Sequence, residues 1–296
     1  MSDEENNSRR SILITGASSG FGLGTAVELA RRGWQVFAGF RDPGRRTSLD
    51  AALVAAGLPP SAVEIVALDV TSAESIAGAA TTVLARATEG VDVVLHNAGY
   101  TTAGFFEDLT DEDCRRLMET SFFGTLALTR ELLPSMRARR RGRIAVVTSN
   151  AVNVPHPLFS VYAAAKWALE GWAEALSLEL APFGIDVVVL QPGAHRTSFE
   201  SNVMPVVEEG SPYGSLFEAA APRLAWIGRH QRDPDKAVAA IVRAIESKRP
   251  PFRVYIGADD RIAAMLKGVA PYRLRERVVG RITGLRAAGP RRASHL

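Results

Sequence analysis

The sequence predicts an α/β fold class: a single domain built on a doubly wound parallel sheet, covered by helices on both faces, with a helical extension at the C-terminus. Three observations predict it. Short apolar runs rich in β-branched residues alternate with helical segments between Ser11 and Leu190, the pattern of strands buried on both faces. A glycine-rich turn joins the first run to the first helical segment. Gly16, Asp69, Asn97 and Ser149 each stand at the carboxyl end of an apolar run, and ligands of such sheets lie beyond those ends.

Ser11 to Thr15 (SILIT) reads as the first strand, and GASSGFG then sets Gly16, Gly20 and Gly22 in a GxxxGxG spacing before the helical pattern LGTAVELARRG. Small residues let a backbone approach a pyrophosphate, while the helix N-terminus turns free amides and a positive dipole end toward it. Such a turn also serves as an ordinary connection; its place at the first βα turn favours a nucleotide site made of Thr15, Gly16, Ser18, Ser19, Gly20, Phe21 and Gly22. The second strand, Gln35 to Phe40, is followed by Arg41, with Arg45 and Arg46 close behind. An acidic residue at that strand end would hold a ribose diol; a guanidinium there favours the 2′-phosphate of NADP(H), with NAD(H) as the second choice. A solvated loop cation is the other reading of Arg41.

Ala62 to Val70 reads as the third strand. Asp69, with Val70 beside it, could accept a hydrogen bond from an adenine amino group, and Thr71 then caps a helix running to about Thr88. A fourth strand, Val91 to Leu95, runs into His96, Asn97, Ala98 and Gly99. The small residues leave room for a ribose, the Asn amide can tie neighbouring strands, and His96 is read as structural. One long helix is expected from Asp111 to Arg137, with Gly124 and Pro134 as its weak points. The basic run MRARRRGR after it reads as a connecting loop, not a nucleic-acid patch. After the strand Asp186 to Leu190 come Gln191, Pro192 and Gly193, and Thr197 is placed to meet a nicotinamide carboxamide.

Chemistry is carried by the stretch from Ser149 to Lys166. Tyr162 and Lys166 stand four residues apart in a helical segment and leave the same face. A phenol has a pKa of about 10, and a neighbouring cation favours the phenolate. Lowering it by about 3 units takes roughly 4 kcal/mol, a good part of which one lysine in a low-dielectric cleft can supply. Such a Tyr exchanges a proton with a carbonyl or alcohol oxygen as hydride moves. Ser149, at a strand end, could hydrogen-bond the same oxygen. A YxxxK spacing alone also occurs on many helices by chance.

TGASSGFG, HNAG, Ser149, YAAAK and QPG occur in one order and spacing, and in these the chain resembles the short-chain dehydrogenase/reductase family over about residues 10 to 256. The resemblance implies a Rossmann-type seven-stranded parallel sheet, a bound nicotinamide cofactor, and a catalytic group of Ser149, Tyr162 and Lys166 in which Lys166 also holds the nicotinamide ribose. Arg41 falls where NADP-preferring members carry a basic residue. The extended C-terminus resembles the hydroxysteroid and retinol dehydrogenase-like branch. One position departs. Members usually carry an Asn that bends the long helix and holds a water linking the Lys to a proton relay, and here Ser121 replaces it. A hydroxyl reaches less far than an amide, so a modest loss of rate is expected.

The loops expected to line a substrate contribute Phe105, Val152, Phe159, Phe199 and Met204, which points to a lipophilic alcohol or ketone; the bland alternative is that these residues merely pack a lid over 194–226. With 47% hydrophobic composition in 296 residues, one large domain over 11–260 is expected, after a disordered leader over 1–10. The leader lacks the apolar core of a secretory signal, and no apolar run is long enough to span a membrane. The single cysteine, Cys114, permits no intrachain disulfide, and a reducing cytosol is the default reading; a soluble homo-oligomer, dimer or tetramer, is expected. No metal site is expected. The formal charge of +3 is uneven: the chain from Lys267 onward carries +7, leaving −4 before it. Over 261–285, Leu274, Val278, Ile282 and Leu285 recur at near-helical spacing among arginines. That helix could pack on its own domain or close over the substrate, join a subunit interface, or rest on an anionic membrane. A basic disordered tail, 286–296, ends the chain. The rival to an enzyme is a non-catalytic NADP-binding regulator.

Overall fold

The computed structural model describes residues 9–154, 156–196, 203–205, 210–218, 221–222 and 231–283. In chain order the elements are β1 (Ser11–Thr15), α1 (Gly20–Arg31), β2 (Gln35–Phe40), α2 (Thr47–Ala55), β3 (Val63–Ala67), α3 (Ala73–Arg86), β4 (Val93–His96), β5 (Thr101–Ala103), α4 (Asp111–Met118), α5 (Gly124–Arg139), β6 (Gly142–Val147), α6 (Ser160–Leu180), β7 (Ile185–Pro192), β8 (Val203–Pro205), α7 (Pro234–Glu246), β9 (Arg253–Ile256), α8 (Ala258–Val269) and α9 (Tyr272–Thr283). Seven strands form one parallel sheet in the order β3-β2-β1-β4-β6-β7-β9. From β1 the chain winds outward to β3, then returns to β4 and winds the other way. The reversal opens a crevice at the carboxyl ends of β1 and β4.

Alternation along the strands builds two cores. Ile12, Ile14, Val188 and Leu190 point to one face, under Leu29 of α1, Leu49 of α2 and Ile241 of α7. Leu13, Val94, Val187 and Val189 point to the other, under Val83 of α3, Leu128 of α5 and Leu169 of α6. Burial on both faces explains why the strands read as unbroken apolar runs.

Several elements differ from the sequence reading. Arg9 and Arg10, expected in a disordered leader, are held: Arg9 donates to the carbonyls of Gly33 and Trp34, and Arg10 lies over the Trp34 ring. The cap of α3 is Ser72, whose hydroxyl accepts from the Ser75 amide at 3.2 Å, while Thr71 bonds Asp69 instead. The long helix is broken by a π turn, Glu119–Phe123, which contains Ser121. Gly124 follows because a Cβ there would collide with the Val70 carbonyl oxygen. Pro134 sits inside α5 without ending it. Three of the five arginines in the basic run are paired: Arg139 with Asp92, Arg141 with Glu89, and Arg143 with Asp186. β5 and β8 form a separate two-stranded parallel sheet. Three-residue strands carry too little periodicity to be read from sequence.

The C-terminal extension starts as α8 at Ala258, inside the stretch assigned to the main domain. Ile262, Met265, Leu266 and Val269 on α8 are exposed, as are Leu274, Val278 and Ile282 on α9. Among the described residues the apolar row of α9 is left about half exposed. Leu285 and the tail lie outside the described residues. Among the described residues, no helix is long and apolar enough to cross a membrane.

Candidate active site

The crevice between β1 and β4 is locked by side chains. Asn97 Nδ2 donates to the carbonyls of Thr15 and Gly16, each at 3.0 Å. Thr15 is buried, and its hydroxyl accepts from the Asn97 and Ala98 amides at 2.9 Å each, so it serves the loop from beneath instead of facing a ligand. Gly16 has φ +63°, and a Cβ on Gly22 would meet the Gly16 carbonyl oxygen and the Asn97 amide. Only glycine lets helix and strand close to this distance. Ser19 ends the loop in extended backbone without capping α1, and the first turn of α1 holds no acidic residue. Its amides are thus left for an anion, the arrangement a dinucleotide pyrophosphate fits.

Beside this loop lies a concavity of about 270 Å³ lined by Ser18, Phe40, Arg41, Asp42 and Arg45. Arg46 is engaged by Asp50 through three short contacts, whereas Arg41 and Arg45 form no ion pair among the described residues. Asp69, half-buried, uses Oδ1 to accept from the Thr71 amide and hydroxyl at 2.9 and 2.7 Å.

Two strands away, Ser149 follows β6, its Oγ accepting from the Ala151 amide at 3.1 Å and hydrogen-bonded to Tyr162. One helical turn further, Lys166 is buried, donates to the Val147 carbonyl at 2.9 Å and lies 5.8 Å from the Tyr162 ring centroid. Burial pushes the Tyr162 phenol up to about 12 against the pull of Ser149, and pushes Lys166 down to about 8. The sequence reading of a phenol poised near neutrality is thereby corrected. In this cleft desolvation outweighs the lysine's field, because the ammonium is turned to the Val147 carbonyl. Ser121 completes the cluster. Its buried Oγ and Lys166 Nζ would lie 3.8 and 3.7 Å from a Cβ on Gly99, and Ser121 Oγ has no hydrogen-bond partner among the described residues.

A family model for short chain dehydrogenases matches residues 10–206. The chain belongs to the short-chain dehydrogenase family. It is 35% identical to retinol dehydrogenase 8 of Homo sapiens over 259 residues, covering 82% of this chain and 80% of that protein. A short-chain dehydrogenase from Streptomyces avermitilis is 36% identical, with a TM-score of 0.77 over 93% of this chain and 98% of that one. One from Burkholderia cenocepacia, solved in complex with NADP, is 25% identical, with a TM-score of 0.71 over 92% and 98%. An oxidoreductase of this family uses a nicotinamide cofactor.

In this dehydrogenase the expected substrate-lining residues scatter. Phe105 stacks on Tyr213 with centroids 4.6 Å apart, Val152 is buried in the turn after Ser149, and Phe159 precedes α6, half-buried. Leu158 adopts φ +73°, held by burial and by the Gly104 amide donating to its carbonyl. Such a conformation in a branched residue is strained and typical of functional loops. Met204 lies in β8, opposite Thr102. Thr197 and Phe199 lie outside the described residues. Pro192 ends β7, and the Gly193 carbonyl lies 3.0 Å from His195 Nδ1. His195 is buried edge-on against Phe21 of the glycine loop, at 5.4 Å.

Two groups escaped the sequence reading. Arg232 fixes the chain just after β7, exchanging backbone hydrogen bonds with Ala194 and Arg196 and pairing with Asp259 and, at 2.6 Å, with Asp260. Glu170 lies behind the cluster, buried, accepting from Thr148, Gln191 and Arg253. The i, i+4, i+8 spacing from Tyr162 through Lys166 to Glu170 was the available signal.

Proposed function

We propose that this chain is an NADP(H)-preferring oxidoreductase that moves hydride between the nicotinamide and a lipophilic secondary alcohol or its ketone, the substrate class being steroid-, retinoid- or similarly apolar. The observation that carries it is the Ser149–Tyr162 hydrogen bond at the strand ends, with the Lys166 ammonium one helical turn behind. When bound, the cofactor supplies or receives the hydride. Ser149 orients the carbonyl oxygen. Tyr162, protonated at neutral pH, gives that oxygen its proton, and the Lys166 charge stabilises the phenolate left behind. This protonation state suits carbonyl reduction. Preference for NADP(H) is supported by Arg41 and Arg45 beside Ser18 in the concavity next to the glycine loop. The apolar substrate is supported by the likeness to retinol dehydrogenase 8.

The test is NADPH consumption by purified protein against steroid, retinoid, aryl and alkyl carbonyls, with Tyr162→Phe in parallel. Loss of nearly all turnover, about 100-fold or more, with cofactor affinity kept is the expected result. Equal turnover in the variant would overturn the assignment of Tyr162.

A further inference from the structure

We propose that α8 and α9 form a docking face for an anionic lipid bilayer, placed beside the mouth of the candidate active site. The face is amphipathic in a specific way. On α9, Leu274, Val278 and Ile282 recur every four residues and are all about half exposed. Arg273, Arg277 and Arg281 form a parallel row one residue earlier, exposed and without an ion pair among the described residues. Arg275, Val279 and Thr283, less exposed, face the other way. An apolar row flanked by a row of guanidinium groups suits a helix lying in the interfacial plane, with its apolar side chains among acyl chains and its cations at the level of phosphates. The apolar row of α8 is exposed as well: in 261–283, eight large hydrophobic side chains are between 47% and 79% exposed. Solvated scatter rarely gathers so densely.

Charge selects the occupant. Over α8 and α9, residues 258–283, six Lys or Arg stand against Asp259, Asp260 and Glu276, and both aspartates pair with Arg232. A second copy of this chain would bring the same sign to the same face, whereas anionic headgroups gain from every guanidinium. The face also adjoins the chemistry. On the inner side of α8, Lys267 lies 3.5 Å from the Trp167 ring centroid and donates to the Val152 carbonyl, in the turn that follows Ser149. A lipophilic molecule dissolved in the bilayer would thus meet the protein close to its candidate cleft.

Flotation of the full chain with phosphatidylcholine vesicles containing about one-third phosphatidylglycerol, compared with phosphatidylcholine alone, tests this. Binding to the anionic vesicles is expected, weakened about 100-fold when Arg273, Arg277 and Arg281 are all replaced by Ser, since each cation contributes close to a factor of 5. Replacing Leu274, Val278 and Ile282 together by Glu should abolish binding. These side chains are exposed, so both variants keep the fold, which thermal melts check. Equal binding to neutral and anionic vesicles, or no binding to either, would overturn the proposal. So would sedimentation showing a dimer that the Glu variant dissociates while vesicles are ignored, which would make the face a subunit interface.

Discussion

Arg253 Nε and Nη2 converge on one carboxylate oxygen of Glu170, at 2.9 and 2.8 Å. The other oxygen accepts from Thr148 Oγ1 at 2.7 Å and Gln191 Nε2 at 2.6 Å. Thr148 immediately precedes Ser149, and Gln191 in turn accepts from Asn153 in the following loop. One buried carboxylate therefore ties α6, which carries Tyr162 and Lys166, to the ends of β6, β7 and β9. Removing one partner of a buried pair leaves the other uncompensated. Glu170→Gln should cost about 3 kcal/mol in a denaturant titration, tempered by the partial exposure of Arg253. A loss near zero would show that the pair holds nothing together.

Arg41 is the residue on which cofactor choice is predicted to turn. It lines the concavity beside the glycine loop, and its neighbour Arg46 is taken by Asp50. A guanidinium hydrogen-bonded to a phosphate contributes about 1.5–3 kcal/mol. Arg41→Ala should weaken NADPH binding roughly 10- to 100-fold in a fluorescence titration while moving NADH by less than about twofold. Equal effects on both would remove Arg41 from the 2′-phosphate.

The parallel sheet and the cluster at its strand ends were legible because they depend on local signals, apolar runs, a glycine turn and a four-residue spacing on a helix, while the number of seven strands was implied by the family resemblance. What was illegible depends on residues far apart in sequence. Glu170 and Arg253, or Arg232 and Asp260, look like ordinary surface charges until the fold buries one of each pair. At Ser121 the family resemblance implied a bend in the long helix, and only its form as a π turn was not legible. Its residues have ordinary helical character, and the turn is followed by the close approach of Gly124 to the Val70 carbonyl, a contact between residues far apart in sequence. Spacing gives the proximity of Lys166 to Tyr162 but not that the ammonium is turned to the Val147 carbonyl.

His96 offers a test in pH. It is buried, with Nε2 2.8 Å from Thr129 Oγ1, and burial pushes its pKa down to about 3. In the unfolded chain it titrates near 6.5. Between those values the unfolded state binds the extra proton, so stability falls as pH drops from about 6.5 toward about 3. From neutrality to about pH 5 the His96 contribution is about 2 kcal/mol. His96→Gln can keep a hydrogen bond to Thr129 without the titration. Urea unfolding at the two pH values should show wild type losing about 2 kcal/mol more than the variant. Equal losses would mean that the imidazole is protonated in the fold.

Ser121 separates a functional hydroxyl from a structural one. Its Oγ is buried beside Gly99 and close to Lys166, and it makes no hydrogen bond among the described residues. It therefore adds little to the internal hydrogen-bond network, and Ser121→Ala should melt within a few degrees of wild type. If the hydroxyl helps to pass protons to Lys166, the same variant should lose about tenfold in kcat, on the order of 1 kcal/mol of barrier, with KM little changed. Ser121→Asn, whose amide reaches further, should recover or exceed the wild-type rate, because a longer side chain on the π turn spans more of the gap to the lysine. Unchanged kcat in both variants would show that Ser121 only fills space.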